Sequence, residues 1–204
     1  IFQPELRKAL EPIGSQNVLT TLFSTDDTKK NEDFSEKTIA ELVRACFEMG
    51  KVKTGALIVI ERGTPLGEIE RTGIEVDGIV TSQLLINIFE HNTPLHDGAV
   101  VIRGNRVTAA TCYLPLSDNM DISKALGTRH RAAVGVSEAT DSVTLVVSEE
   151  TGRVSVAVSG RLKSVKDGDE LRDMLSVLVK RETENTGRFR IWKGRRRNER
   201  KADE

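Results

Sequence analysis

Three short segments of this sequence combine residue types able to move protons, hold cations or bind anions. The first is Pro94-Leu95-His96-Asp97-Gly98-Ala99, a polar His–Asp pair placed just before an apolar run. A carboxylate such as Asp97 can accept a proton or coordinate a divalent cation. Gly98 and Ala99 carry almost no side chain, which lets a ligand approach the backbone closely. The plainer alternative is that Asp-Gly turns the chain ahead of a strand.

The second segment is Gly127-Thr128-Arg129-His130-Arg131-Ala132. With Thr128 as N-cap of a helix, free amides and the positive helix end make an anion site, to which Arg129 and Arg131 add guanidinium forks suited to phosphate oxygens. The two arginines lie two positions apart and cannot share one helical face, so an exposed basic turn is the competing reading. No GxxxxGK[ST] pattern occurs, so this is not a P-loop. In the third segment, Ser148-Glu149-Glu150, acceptors at a strand end can read an adenine amino group or assist a metal, or form a solvated turn. Tyr113 and Leu114 can cover a base or belong to the core. His91 reads as a surface or capping histidine, and Cys46, on a helical apolar stripe, as packing.

The elements that must hold these segments follow from periodicity. Leu6, Leu10 and Ile13 predict a helix near the start, and the polar stretch 25–32 a linker. Asp33 or Ser35 is positioned to cap a helix whose stripe is Ile39, Leu42, Val43, Cys46 and Phe47, ending at Gly50. Ala56–Ile60 reads as a buried strand, the stretch 63–78 as a glycine-rich passage, and 81–92 as a helix. Residues 98–114 predict a hairpin turning at Gly104-Asn105, and 142–160 a second one turning at Glu149–Gly152. Asp167 or Asp169 opens a last helix with Leu171, Met174, Leu175, Leu178 and Val179 on its apolar side. Helices interleaved with two hairpins predict an α/β fold, with a mixed central β-sheet covered by helices on both faces. The predicted organisation is an N-terminal helix and linker over 1–32, a catalytic domain over 33–192 and a basic tail over 193–204.

Composition narrows the function classes. The 204 residues carry 30 basic and 31 acidic side chains, a net charge of −1, which excludes a globally basic nucleic-acid binder. Cys46 and Cys112 have no CxxC spacing, against a zinc site or a disulfide scaffold. The longest apolar runs, at 56–60, 99–102 and 143–147, are far below the ~20 residues of a membrane span. The first residue is Ile1 rather than Met, so the natural start is expected to lie upstream.

Taken together, the segments from Thr72 to Ser117 and from Leu126 to Ala157 closely resemble the diadenylate cyclase domain. Its two signatures stand here as Asp97-Gly98-Ala99 and Arg129-His130-Arg131, and the likeness runs from about Asp33 to Leu162. The opening PELRKALEPIG and the arginine-rich tail resemble the membrane-linked type, not the DNA-scanning type with its long C-terminal half. The resemblance implies that two ATP condense to cyclic di-3′,5′-AMP with release of two pyrophosphates. It implies Asp97 as the catalytic carboxylate that activates the 3′-hydroxyl and as a metal ligand, His96 as a residue that helps hold the metal or the polyphosphate, and Mn²⁺ or Mg²⁺ (Co²⁺ as a further candidate) as cofactor. Gly98, Ala99, Tyr113, Leu114, Thr128, Arg129, His130, Arg131, Ser148 and Glu150 are implied as substrate contacts. Two equivalent reacting centres call for a homodimer facing across a two-fold axis. The resemblance further implies the cytoplasmic face of the cell membrane for the full-length protein, this fragment being soluble. It also implies a membrane-anchored regulator and phosphoglucosamine mutase as partners, and no nucleic acid. A non-catalytic adenine-nucleotide sensor of the same fold is the alternative. A nucleic-acid binder using the tail is a further rival, with steep salt dependence as its mark.

Overall fold

The chain divides into Ile1–Asn31 and Glu32–Glu204. The computed structural model describes residues 34–119 and 126–179, all within the second unit. The predicted N-terminal helix, the linker and the basic tail lie outside the described residues.

Helix α1 (Glu36–Lys51) begins at Ser35, whose hydroxyl accepts from the Thr38 amide at 3.1 Å; Asp33, the other candidate cap, is outside the described residues. Its apolar stripe buries Ile39, Leu42 and Cys46 completely. Strand β1 (Ala56–Ile60) follows and is buried at every position, as expected for the middle of a covered sheet. Then come α2 (Gly67–Glu70), β2 (Ile74–Ile79) and α3 (Ser82–Phe89), the last capped by Thr81. The hairpin β3 (Ala99–Arg103) and β4 (Arg106–Cys112) turns at Gly104-Asn105 as predicted. Helix α4 (Thr128–Ala139) leads into the second hairpin, β5 (Val143–Val147) and β6 (Val154–Val158), and β7 (Arg161–Ser164) closes the sheet. A final helix, α5, occupies 168–179, its start marked by the Glu170 amide donating to the Asp167 carboxylate at 2.9 Å.

The sheet has seven strands in the order β2-β4-β3-β1-β5-β6-β7. Only β1 and β3 run parallel; the other neighbours are antiparallel. One face packs on α1, α3 and α5 through Ile39, Leu85, Leu171 and Leu175. The other packs on α4 through Ala132, Ala133 and Val136, with Leu66 beside α2. The mixed sheet with helices on both faces is therefore as predicted. Cys46 and Cys112 are free and buried, and burial pushes their thiols up to about 12 and about 11, so both serve as packing.

Two local expectations are corrected. The passage 63–78 contains the edge strand β2, which alternation did not mark because most of its residues are exposed and Asp77 bulges it at φ 44. Thr128 is not the N-cap of α4: Gly127 holds the extended cap conformation, with no side-chain cap bond, and Thr128 is already helical.

Candidate functional site

Strand register brings the sequence-predicted residues to one end of the sheet. Ala99, at the start of β3, pairs with Cys112 at the end of β4. Ala56, at the start of β1, pairs with Val147 at the end of β5. Because β1 and β3 are parallel, their starts lie side by side. The antiparallel partners then place Tyr113-Leu114, His96-Asp97 and Ser148-Glu149-Glu150 beyond that same end. Adjacent strands are ~4.8 Å apart, so the starts of β3 and the end of β5, two strands away, lie about 10 Å from each other.

A cleft of about 240 Å³ opens there, between the N-terminus of α4 and the β5–β6 turn. Thr128, Arg129, His130, Ser148 and Glu150 all line it. The first-turn amides of Thr128 and Arg129 have no intrahelical partner and no capping side chain, so the positive end of α4 is presented to the cleft. Arg129 donates through Nη1 to Glu149 Oε2, a partner that sequence reasoning did not assign. Arg153 also lines the cleft and adds a second guanidinium. Neither contact had a readable signal, since only the fold brings residue 129 against 149. Gly55 lies beneath this pair: a Cβ there would stand 2.8 Å from Arg129 Nη1 and 2.9 Å from Glu149 Oε2. His130 is buried, and desolvation lowers its pKa below the usual imidazole value, opposed by the Glu150 charge. Burial therefore favours its neutral form. Ser148 is held at the strand end by its amide, which donates to the Arg153 carbonyl at 3.0 Å.

The remaining predicted residues lie outside that cleft. Arg131 is half-buried and does not line it, as its two-residue offset from Arg129 requires. Leu114 packs against the cluster that holds Ala99, Ala132 and Ala133, whereas Tyr113 is 69% exposed. Asp97 is exposed, and no hydrogen bond or ion pair to a described residue engages its carboxylate. His96 Nδ1 lies 2.6 Å from the Thr93 carbonyl; as a carbonyl only accepts, Nδ1–H is the donor of that bond. Gly98 is demanded by its neighbour strand: φ is +127, and a Cβ would stand 2.8 Å from the Thr111 carbonyl carbon.

No group of three or more His, Cys, Asp or Glu residues able to hold a metal occurs among the described residues. The described residues do not form a cage for a resident ion. A hard divalent cation shared between one carboxylate and substrate phosphates fits them, because Mg²⁺-type ions are commonly held that way. The residues that could hold it are Asp97, whose carboxylate is unengaged by described residues, and His96.

Residues 43–162 match the family described as DisA bacterial checkpoint controller nucleotide-binding, the DAC domain. The chain belongs to the diadenylate cyclase family. The chain is 50% identical over 197 residues to the cyclic di-AMP synthase CdaA of Bacillus subtilis, covering 96% of this chain and 70% of that protein. It is 45% identical over 195 residues to the diadenylate cyclase of Listeria monocytogenes, covering 95% of this chain and 70% of that one. In structure it is similar to a double mutant of DacA from Staphylococcus aureus, with TM-score 0.69, 46% identity, and coverage of 71% of this chain and 97% of that one. A hypothetical membrane spanning protein from Bacillus cereus is also similar, with TM-score 0.62, 42% identity and 64% of each chain covered. No helix among the described residues of the cyclase domain is long and apolar enough to cross a membrane.

Proposed function

We propose that this domain is a diadenylate cyclase that condenses two ATP into cyclic di-3′,5′-AMP and two pyrophosphates. The observation that carries the reading is the convergence, at one end of one sheet, of an anion-ready helix terminus and an unengaged carboxylate. The triphosphate lies in the cleft, against the first-turn amides of α4, with Arg129 and Thr128 holding its oxygens. Ser148 and Glu150 bound the opposite wall, and Tyr113 and Leu114 contact the nucleoside. Asp97 accepts the proton of a 3′-hydroxyl, whose oxygen then attacks the α-phosphorus of the second ATP. The bond from that phosphorus to the bridging oxygen breaks, and pyrophosphate leaves with the bonding pair. The same step, repeated at the other centre, closes the ring. Arg129 stabilises charge developing on the leaving group, since positioning and electrostatics dominate phosphoryl transfer. Asp97 and His96 would hold a divalent cation (Mn²⁺, Mg²⁺ or Co²⁺), which would supply charge neutralisation and lower the pKa of the attacking hydroxyl.

Ring closure needs two reacting centres, so the active form in this reading is a two-fold homodimer in which each domain brings one ATP. Placement at the cytoplasmic face of the cell membrane, and the regulatory partners implied by the resemblance, belong to the same proposal. The test is incubation with ATP and Mn²⁺ or Mg²⁺, with products identified by mass spectrometry. Cyclic di-AMP from the native chain, lost in Asp97→Asn while ATP still binds, is the expected result. ATP binding with no product from either protein would favour a non-catalytic nucleotide sensor.

A further inference from the structure

We infer that Thr111 is a positioning residue that sets the loop bearing His96 and Asp97; this rests on Asp97 being the activating carboxylate. Between the pairs Ala99↔Cys112 and Val101↔Ala109 the β3–β4 ladder shifts register, so β4 carries one extra residue over 109–112. Thr111 lies in this bulge with φ 58, a left-handed conformation that a β-branched side chain adopts only against steric resistance. Glycine or asparagine would sit there with less strain. What threonine adds is a hydroxyl, and that hydroxyl donates to the Leu95 carbonyl at 3.2 Å, with the Pro94 carbonyl at 3.5 Å. On the other side of Asp97, Gly98 is packed against the Thr111 backbone, where a Cβ would come within 2.8 Å of its carbonyl carbon. Residue 97 is therefore flanked by two contacts to the same residue of the neighbouring strand. The Asp97 carboxylate itself has no bond to a described residue, so its position depends on the loop. Strain retained beside a reacting group, and a hydroxyl that reaches the loop from it, give Thr111 a task beyond filling the sheet.

The experiment compares Thr111→Val, which keeps the shape and loses the donor, with Thr111→Ser, which keeps the donor. Thr111→Val is expected to lower kcat roughly ten- to hundredfold through misplacement of Asp97, with KM for ATP changed by less than about twofold. Amide hydrogen exchange across 95–99 is expected to accelerate in Thr111→Val and not elsewhere, with Thr111→Ser restoring both kcat and protection. Should the valine variant fail to fold, Thr111→Ala removes the donor without the branch. Failure of both to fold would assign Thr111 to the whole sheet and overturn the inference. So would unchanged exchange and kcat in the valine variant, or equal losses in valine and serine variants. Asp97→Asn, run alongside, separates the two readings. If it keeps turnover, the role of Asp97 falls; if it is inactive while Thr111→Val is normal, only the positioning role falls.

Discussion

Burial of His130 favours its neutral form. Its pKa in the folded domain lies below the unfolded reference of about 6.5, so between those two values the unfolded chain binds the extra proton. Stability from this group is therefore fully present above about 6.5 and is lost as pH falls from there towards the lower folded value. Melting temperature measured from pH 7.5 to 5.5 is expected to fall, and to fall less in His130→Gln. An equal slope in both proteins would show that His130 is not the group responsible. Asp97 is a different case, because its carboxylate is exposed and unengaged. In the proposed role of general base, its replacement in Asp97→Asn is expected to cost turnover roughly 10²- to 10⁴-fold, read as product formed per minute with ATP binding retained.

At the scale of elements, two glycines distinguish a site from a scaffold. At Gly55 an added methyl meets the ends of two flexible side chains, Arg129 and Glu149. Gly55→Ala is expected to leave the melting temperature within a few degrees and to weaken ATP binding, since Arg129 must move. At Gly98 the methyl meets Thr111 backbone, and φ is already left-handed. Gly98→Ala is expected to destabilise the domain by about 1 kcal/mol or more, and to abolish turnover. Calorimetric titration with ATP and thermal melts on both variants check the contrast. Apart from the site, the opposite end of the sheet is tied by Arg103, which bridges Glu61 at 2.5 Å and Glu70 at 2.8 Å. The hairpin turn is tied to α1 through Asn105, whose Oδ1 accepts from the Ser35 amide and the Thr38 hydroxyl.

For the molecule as a whole, the proposed chemistry makes association part of catalysis. Specific activity is expected to rise with protein concentration and to level off where sedimentation reports a completed dimer. Activity per chain that stays constant through the monomer range would contradict a ring closed between two domains. The near-balance of 30 basic and 31 acidic residues predicts in addition that this dependence is not driven by net charge.

Much of the cyclase fold was legible because its signals are local. Buried runs such as Ala56–Ile60, the Gly104-Asn105 turn and the stripe of α1 each depend on residues close in sequence. The family followed instead from a resemblance, carried by the contiguous motifs Asp97-Gly98-Ala99 and Arg129-His130-Arg131. The edge strand β2 stayed hidden because an exposed, bulged strand has no apolar alternation to read, and the cap at Gly127 because it bonds through no side chain. What only the tertiary structure decided was which motifs share a space. Register across the three strands β3, β1 and β5 sets Asp97 near Ser148, packing sets Arg129 on Glu149 above Gly55, and a bulge sets Thr111 under the Asp97 loop. Those contacts join residues 13 to 94 positions apart along the chain only through strand pairing and helix packing, which local sequence does not encode.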